Sequence, residues 1–336
     1  MNNNEPEDKG MGTKTDQNEI PESPTYQNEI PESPTDKTTE KRKKRIHSFF
    51  DVAIDILFWT MAVVMGVGLL HYGRRIFIAE KFIIPTYSMY PTLIPGDRIM
   101  VNKLCHGARL YRSFDFSDHA PMESLRMPAL RKIRPGDIVV FNEIHPYGDW
   151  SRIEFKINKV FCKRVLGTPG DSISIIDGIN INNRYDGLIG LLEVQQRMNN
   201  MPDSLFIQSF CFMAYPIWRS SWTIKNMGPL YVPAKGDNIS LDEWHCTLYG
   251  QIIEYETGSH LEFRDGTALL DSIPTDIYTF QDDYYYVLGD NSPDSNDSRY
   301  WGFVPGRFIV GAATRIFYCR DRQTERFRWD RLLKRI

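Results

Sequence analysis

The chain lacks the local signatures of the commonest hydrolase chemistries. No H-E-x-x-H string occurs, which argues against the helix-borne zinc site of a metalloprotease. No G-x-S-x-G string occurs either, so the nucleophile elbow of Ser-His-Asp hydrolases has no local marker. Histidine is scarce, with seven in 336 residues. His47 and His71 border the apolar stretch discussed below, and His106, His119, His145, His245 and His260 sit in polar, insert-like contexts. The five cysteines, Cys105, Cys162, Cys211, Cys246 and Cys319, are widely spaced and form no C-x-x-C, which disfavours a zinc or redox motif. Their odd number leaves at least one thiol free or shared with another chain.

Charge is nearly balanced at −3, too weak an imbalance to imply nucleic acid as a partner. It is unevenly spread. Residues 1–40 hold ten acids and three lysines, a net of −7, so the remainder is +4. That acidic segment is rich in Asn, Glu, Pro, Ser and Thr, and it repeats itself: Gln17–Thr25 reads QNEIPESPT and Gln27–Thr35 reads the same. Polar units of this kind bury no core, and a disordered spacer is expected.

Long apolar runs are almost absent. One exists, from Val52 to Tyr72, with Asp55 near one end. Its 21 residues would span about 31 Å as a helix, close to the hydrocarbon thickness of a bilayer. Lys41-Arg42-Lys43-Lys44-Arg45 precedes it, and Arg74, Arg75 and Lys81 follow. The positive-inside rule then puts the N-terminus in the cytoplasm and the body outside. No A-x-A pattern follows Leu70, so an uncleaved anchor is expected rather than a leader. The next most apolar stretch, Leu205–Trp218, has only fourteen residues, too few to span.

After the anchor, a turn phrase recurs. Pro95-Gly96-Asp97, Pro135-Gly136-Asp137, Pro169-Gly170-Asp171 and Lys235-Gly236-Asp237 each lead into a β-branched run. Pro-Gly suits a type II turn, and the runs suit strands. Neither a long amphipathic helix nor βαβ alternation is visible. The expected fold is mainly β: a single N-terminal transmembrane helix, then a β-sheet or barrel-like catalytic domain with an inserted smaller subdomain. The boundaries read as a disordered cytoplasmic tail over 1–45, the anchor over 46–72, a catalytic β domain over 73–176 and 279–319, an insert over 177–278, and a basic solvated tail over 320–336. An irregular insertion covers Leu104–Lys132.

Ser88, between Pro85 and Pro91 just beyond the anchor, is a candidate nucleophile. A serine hydroxyl needs a base. A neutral lysine can serve if burial lowers its pKa by roughly three units. Read as a strand, Ile157–Leu166 puts Phe161, Lys163 and Val165 on one face and Arg164 on the other. Periodicity alone leaves Lys163 open between a buried base and a snorkelling surface lysine. The Asp290–Asp297 loop is rich in oxygen atoms but breaks the EF-hand pattern: Ser295 stands where glycine is needed and Trp301 where glutamate is needed.

Four strings carry a resemblance. Ile84–Lys103 (IPTYSMYPTLIPGDRIMVNK) resembles the serine box of type I signal peptidases, and Cys162–Asp171 (CKRVLGTPGD) resembles their lysine box. Arg134–Phe141 (RPGDIVVF) resembles the strand between them. Tyr284–Ala313 (YYYVLGDNSPDSNDSRYWGFVPGRFIVGAA) resembles their C-terminal box. Together they cover roughly a fifth of the chain.

The resemblance implies a membrane-bound serine endopeptidase that removes signal peptides. Ser88 would be the nucleophile and Lys163 the general base. The Ser88 N–H and the Thr86 hydroxyl would form the oxyanion hole. Ser295 would orient the lysine, and Asp297 and Arg299 would hold that loop. Substrate would lie along Phe82, Ile84 and Pro85. Tyr87 departs from the family, where a small residue is common. No cofactor or metal is implied. The expected partners are secreted preproteins and membrane lipid, with the translocation machinery as a candidate. Two rival readings are a self-cleaving repressor-type Ser–Lys peptidase and a catalytically inactive tethered β-scaffold that binds secreted chains.

Overall fold

The computed structural model describes residues 34–112, 117, 124–145, 149–208, 212–217 and 219–336. The duplicated segment apart from its last two residues, His119, Cys211 and part of the Leu205–Trp218 stretch lie outside the described residues.

Helix α1 covers Pro34–Phe77. It contains an 18-residue stretch of mean hydropathy 2.1, none of it covered by protein. A helix apolar on every side needs lipid or a large core around it. The basic cluster Lys41–Arg45, expected within a disordered tail, is instead helical. Glu, Lys and Arg are good helix formers, and Glu40 pairs with Lys44 one turn on at 2.8 Å.

The body, from Gly66 to Ile336, is one compact unit by its contacts. Its main sheet contains β1 (Ala79–Ile83), β2 (Asp97–Asn102), β3 (Ile138–Glu143), β4 (Lys156–Gly167), β5 (Tyr284–Leu288), β6 (Val304–Pro305), β7 (Ile309–Arg320) and β8 (Phe327–Arg328). The order is β1-β2-β7-β3-β4-β5-β6, with β8 paired to β7. All these pairings are antiparallel. The mainly β expectation holds.

The recurring turns fold alike. Gly96, Gly136, Gly170 and Gly236 all have positive φ, between 87° and 96°. In each turn the following aspartate donates its N–H to the carbonyl three residues back, at 3.0–3.1 Å. Its carboxylate also accepts the N–H of that same residue: Ile94, Arg134, Thr168 and Ala234 bond to Asp97, Asp137, Asp171 and Asp237 at 2.8–3.0 Å. The aspartate therefore locks the turn that Pro-Gly shapes.

Strand β3 is buried on both faces. Val139 and Phe141 enter the larger core, while Ile138 and Val140 enter a smaller one with Ile84, Met89 and Leu93. Residues 177–278 carry helices α2 (Leu192–Asn200), α3 (Asp203–Gln208) and α4 (Glu243–Thr257), and α4 joins that larger core with Leu248, Tyr249, Ile252 and Ile253 buried. This fifteen-residue helix corrects the reading that no long amphipathic helix is present. Asp242 caps its start by accepting the His245 N–H, and Gly258 ends it at φ 72°.

Residues 320–336 are mostly exposed, as a solvated end would be, but the segment is tied to the body. Arg331 is buried and donates to Asp97 at 2.8 and 2.5 Å and to the Thr92 carbonyl at 2.9 Å. Arg320 donates its N–H to Gly96. The segment thus braces the chain between β1 and β2 from behind. Arg331→Ala would leave Asp97 buried and unpaired, at a cost on the order of 3 kcal/mol. Thermal melts of the full chain should show the variant several degrees less stable than the parent.

Candidate active site

Ser88 lies in the connection between β1 and β2. Its neighbour Met89 and nearby Leu93 are buried in the smaller core, which pins the connection. Short bonds shape it further: Tyr90 N–H to Tyr87, and Leu93 N–H to Met89. Ser88 itself is half-buried. Its hydroxyl lies 3.4 Å from the Thr86 hydroxyl, and either oxygen can donate. Tyr87 is exposed and packs edge-on against Tyr90.

Lys163 stands on β4 opposite Val139. Its side chain is buried, and Nζ donates to Ser295 Oγ at 3.0 Å. Burial pulls its pKa down from 10.5 to about 8. The carboxylates of Asp297 and Asp290 work against that shift, and Arg299 assists it. Of its strand neighbours, Val165 is fully buried while Phe161 is 42% exposed. Phe161 rests on Phe141 at the cleft wall and shields only one side. Ser88, Thr86, Lys163, Ile84 and Pro85 line one cleft of about 310 Å³. Phe82 does not line that cleft; it packs on the smaller core.

The Gly289–Arg299 loop closes the site. Asp297 and Arg299 are almost completely buried and form a two-pronged pair at 2.9 Å on each prong. Asp297 also accepts the Gly289 N–H at 2.9 Å, and Arg299 donates to the Ser292 carbonyl at 2.8 Å. Short helix α5 (Ser298–Trp301) begins at the Asp297 cap. Burial would raise the Asp297 carboxyl pKa, but the Arg299 guanidinium outweighs it and holds it below the usual range.

Several residues here had no role assigned from sequence. Asn291 donates its backbone N–H to the Ser88 carbonyl at 3.0 Å and its side chain to the Tyr87 carbonyl at 3.2 Å. Arg164 grips Asp290 with two 2.6 Å bonds and reaches the Gly136 carbonyl at 2.7 Å. Asp294 and Asn296 line the cleft. All but Arg164 and Asp290 look like ordinary loop polar residues in the sequence. The charge pair was visible only as two opposite charges 126 positions apart. Among the described residues, no group of three or more His, Cys, Asp or Glu side chains could hold a metal ion.

The fold and site define a β-rich body with a serine and a buried lysine lining one cleft, in a chain that also carries one apolar helix. Comparison with known proteins narrows the class. The family "Signal peptidase, peptidase S26" matches residues 56–318. Signal peptidase I of Buchnera aphidicola subsp. Acyrthosiphon pisum is 30% identical over 252 residues, covering 74% of this chain and 71% of that protein. Signal peptidase I of Rickettsia akari is 30% identical over 261 residues, covering 77% and 78%. A crystal structure of a signal peptidase I from Enterococcus faecalis is 19% identical with a TM-score of 0.26, covering 55% of this chain and all of that one; that superposition adds nothing to the assignment. The chain belongs to the signal peptidase family, peptidase S26. It is a membrane-anchored serine peptidase.

Gly289 has the tightest surroundings in the site. A Cβ there would meet the Ser88 carbonyl oxygen at 2.5 Å and would crowd Ser295 Oγ even more closely. Gly289→Ala must therefore push the Ser88 segment and Ser295 apart, at about 1–3 kcal/mol of overpacking. The variant should lose at least about tenfold in kcat/KM on a preprotein, since small misplacements of reacting groups are costly. Parallel melts will show whether it remains folded.

Proposed function

We propose that Ser88 and Lys163 form a catalytic dyad that cleaves signal peptides from exported preproteins at the outer face of the cytoplasmic membrane. The observation that carries the reading is the buried Lys163 amine, with its pKa lowered to about 8, lining the same cleft as Ser88. Neutral Nζ takes the proton from Ser88 Oγ as Oγ attacks the scissile carbonyl carbon. The resulting oxyanion accepts from the Ser88 N–H and the Thr86 hydroxyl. Lys163 returns the proton to the departing amine as the C–N bond breaks, which leaves an ester on Ser88. Water then attacks the ester and gives its proton to Lys163. As the ester C–O bond breaks, Lys163 passes that proton to Ser88 Oγ and restores the hydroxyl, and the signal peptide leaves as a carboxylic acid that loses its proton to solvent. Ser295 accepts one amine proton and so aims the amine's lone pair.

Strand β1 pairs with β2 and with no other strand among the described residues. Its outer edge and the following Ile84–Pro85 segment offer main-chain groups to an extended peptide. Basic residues 41–45 before the apolar segment, outnumbering those after it, support a cytoplasmic N-terminus. The body would then lie on the outer side, with membrane lipid close by.

Ser88→Ala and Lys163→Ala should each abolish cleavage of a preprotein by the full-length protein in detergent, with mass spectrometry locating the cut in the parent. Retained cleavage in either variant would overturn the dyad. Activity requires the neutral amine, so kcat/KM should rise with pH and level off above about 8. A flat profile from pH 6 to 9 would exclude Lys163 as the base.

Stability offers an independent readout. The amine's pKa is lower in the folded state than in the unfolded chain. Folding is therefore disfavoured by the buried ammonium below about 8, and stability recovers as pH rises toward 10.5. Lys163→Met should remove that dependence and raise the Tm at pH 7 while abolishing activity. An unchanged pH dependence of the difference in Tm would show the amine to be solvated.

A further inference from the structure

The catalytic cleft does not end at Ser88. Phe161 and Asn296 line both the cleft and a narrow neck of about 60 Å³. Trp150 lines both that neck and a chamber of about 740 Å³, larger than the catalytic cleft itself. The three hollows lie in a row, each sharing wall side chains with the next.

A peptide substrate continues on both sides of the bond that is cut. On the proposed reading, one side lies along Phe82–Pro85. The other must leave past Ser88, where Phe161 and Asn296 form the wall. We infer that the neck and chamber bind the part of the preprotein that follows the scissile bond, as an extended chain with a large apolar side chain against Trp150 and Tyr300. The occupant is thus the beginning of the mature protein. The inference takes the position of the scissile bond from the proposed dyad.

The chamber is built to receive such a chain. The Trp150 and Tyr300 rings stack at 6.0 Å with planes 22° apart. Each is fixed from a different direction. Helix α4 holds the Trp150 carbonyl through a 2.6 Å bond from Gln251. The catalytic loop holds Tyr300, whose N–H bonds to the Asp297 carbonyl at 2.9 Å. Tyr215, Ile217 and Leu261 add apolar wall, and the Glu254–His260 pair at 2.6 Å stands among the polar lining. A rigid aromatic wall orders little on binding, so its contact energy goes into affinity. Its link to the Asp297 loop joins occupancy of the chamber to the loop that orients Lys163.

The test compares two synthetic peptides identical up to and just past the cleavage site. One carries three residues beyond the bond and the other ten, including a phenylalanine. Wild-type protein in detergent should favour the long peptide by about tenfold in kcat/KM, the worth of one aromatic anchor. Trp150→Ala should bring that ratio close to one, and Trp150→Phe should restore most of it.

Gly250→Leu provides a variant that fills the chamber without removing a contact. Gly250 lies on α4, and a Cβ there meets only Leu261, at 3.8 Å. Leucine also favours the helix more than glycine does. This variant too should collapse the ratio. Equal wild-type rates on the two peptides, or a ratio unchanged in both Trp150→Ala and Gly250→Leu, would overturn the inference. A failed dyad is distinguishable: it appears as cleavage by Ser88→Ala, whereas the length ratio is read in protein with Ser88 intact.

Discussion

The site depends on an ion pair almost wholly withdrawn from water. Asp297 and Arg299 are 0% and 1% exposed. Two charges buried this deeply are worth little as net stability, because desolvation consumes most of their attraction. Their value is geometric. Between them they hold the Gly289 N–H and the Ser292 carbonyl, which fixes a loop with little regular structure. That loop carries Ser295, and Ser295 holds Lys163. The same carboxylate acts against the depression of the lysine's pKa. The site therefore balances two demands: enough charge to order the loop, and enough dryness to leave the amine neutral near pH 8.

Three distant stretches of chain meet here, and each is tied to the next by specific bonds rather than by packing alone. Asn291 holds the backbone of Tyr87 and Ser88. Arg164, next to the lysine, grips Asp290. Arg331, near the C-terminal end, grips Asp97 and Thr92 beyond Ser88. Such ties serve a reaction in which an error of about 1 Å costs orders of magnitude in rate. The Ser88 hydroxyl has only the Thr86 hydroxyl within hydrogen-bonding distance among the described residues, so it is not locked away from the cleft.

Local rules made much of the architecture legible before any coordinates. The apolar helix follows from one run of lipid-compatible residues broken only by Asp55 near its start. The turns follow from Pro-Gly, since positive φ at Gly96, Gly136 and Gly170 is a property of the residue itself. Sequence rules assign the aspartate after each glycine no role, yet its carboxylate closes the turn; that role needs the bond to be seen. Helix α4 was missed because Tyr249, Ile252 and Ile253 suit strands as well as helices, and Gly250 weakens the helical pattern. The C-terminal residues were read as solvated because seven basic side chains suggest water. One of them instead neutralises a carboxylate 234 positions away.

The sequence by itself determined which groups are available: a serine after the anchor, a lysine within a hydrophobic strand, and a loop dense in polar atoms. It also determined the anchor and the turn positions, because both rest on interactions within a few residues. Only the tertiary structure decided the state of those groups. Burial of the Lys163 amine is set by Val139, Ser295 and the Asp297–Arg299 pair arriving from separate strands and loops. The hollows on either side of Trp150 exist only where helix α4 and the residues around Asn296–Trp301 come together. Desolvation depends on everything that surrounds a group, and those surroundings come from residues far away along the chain.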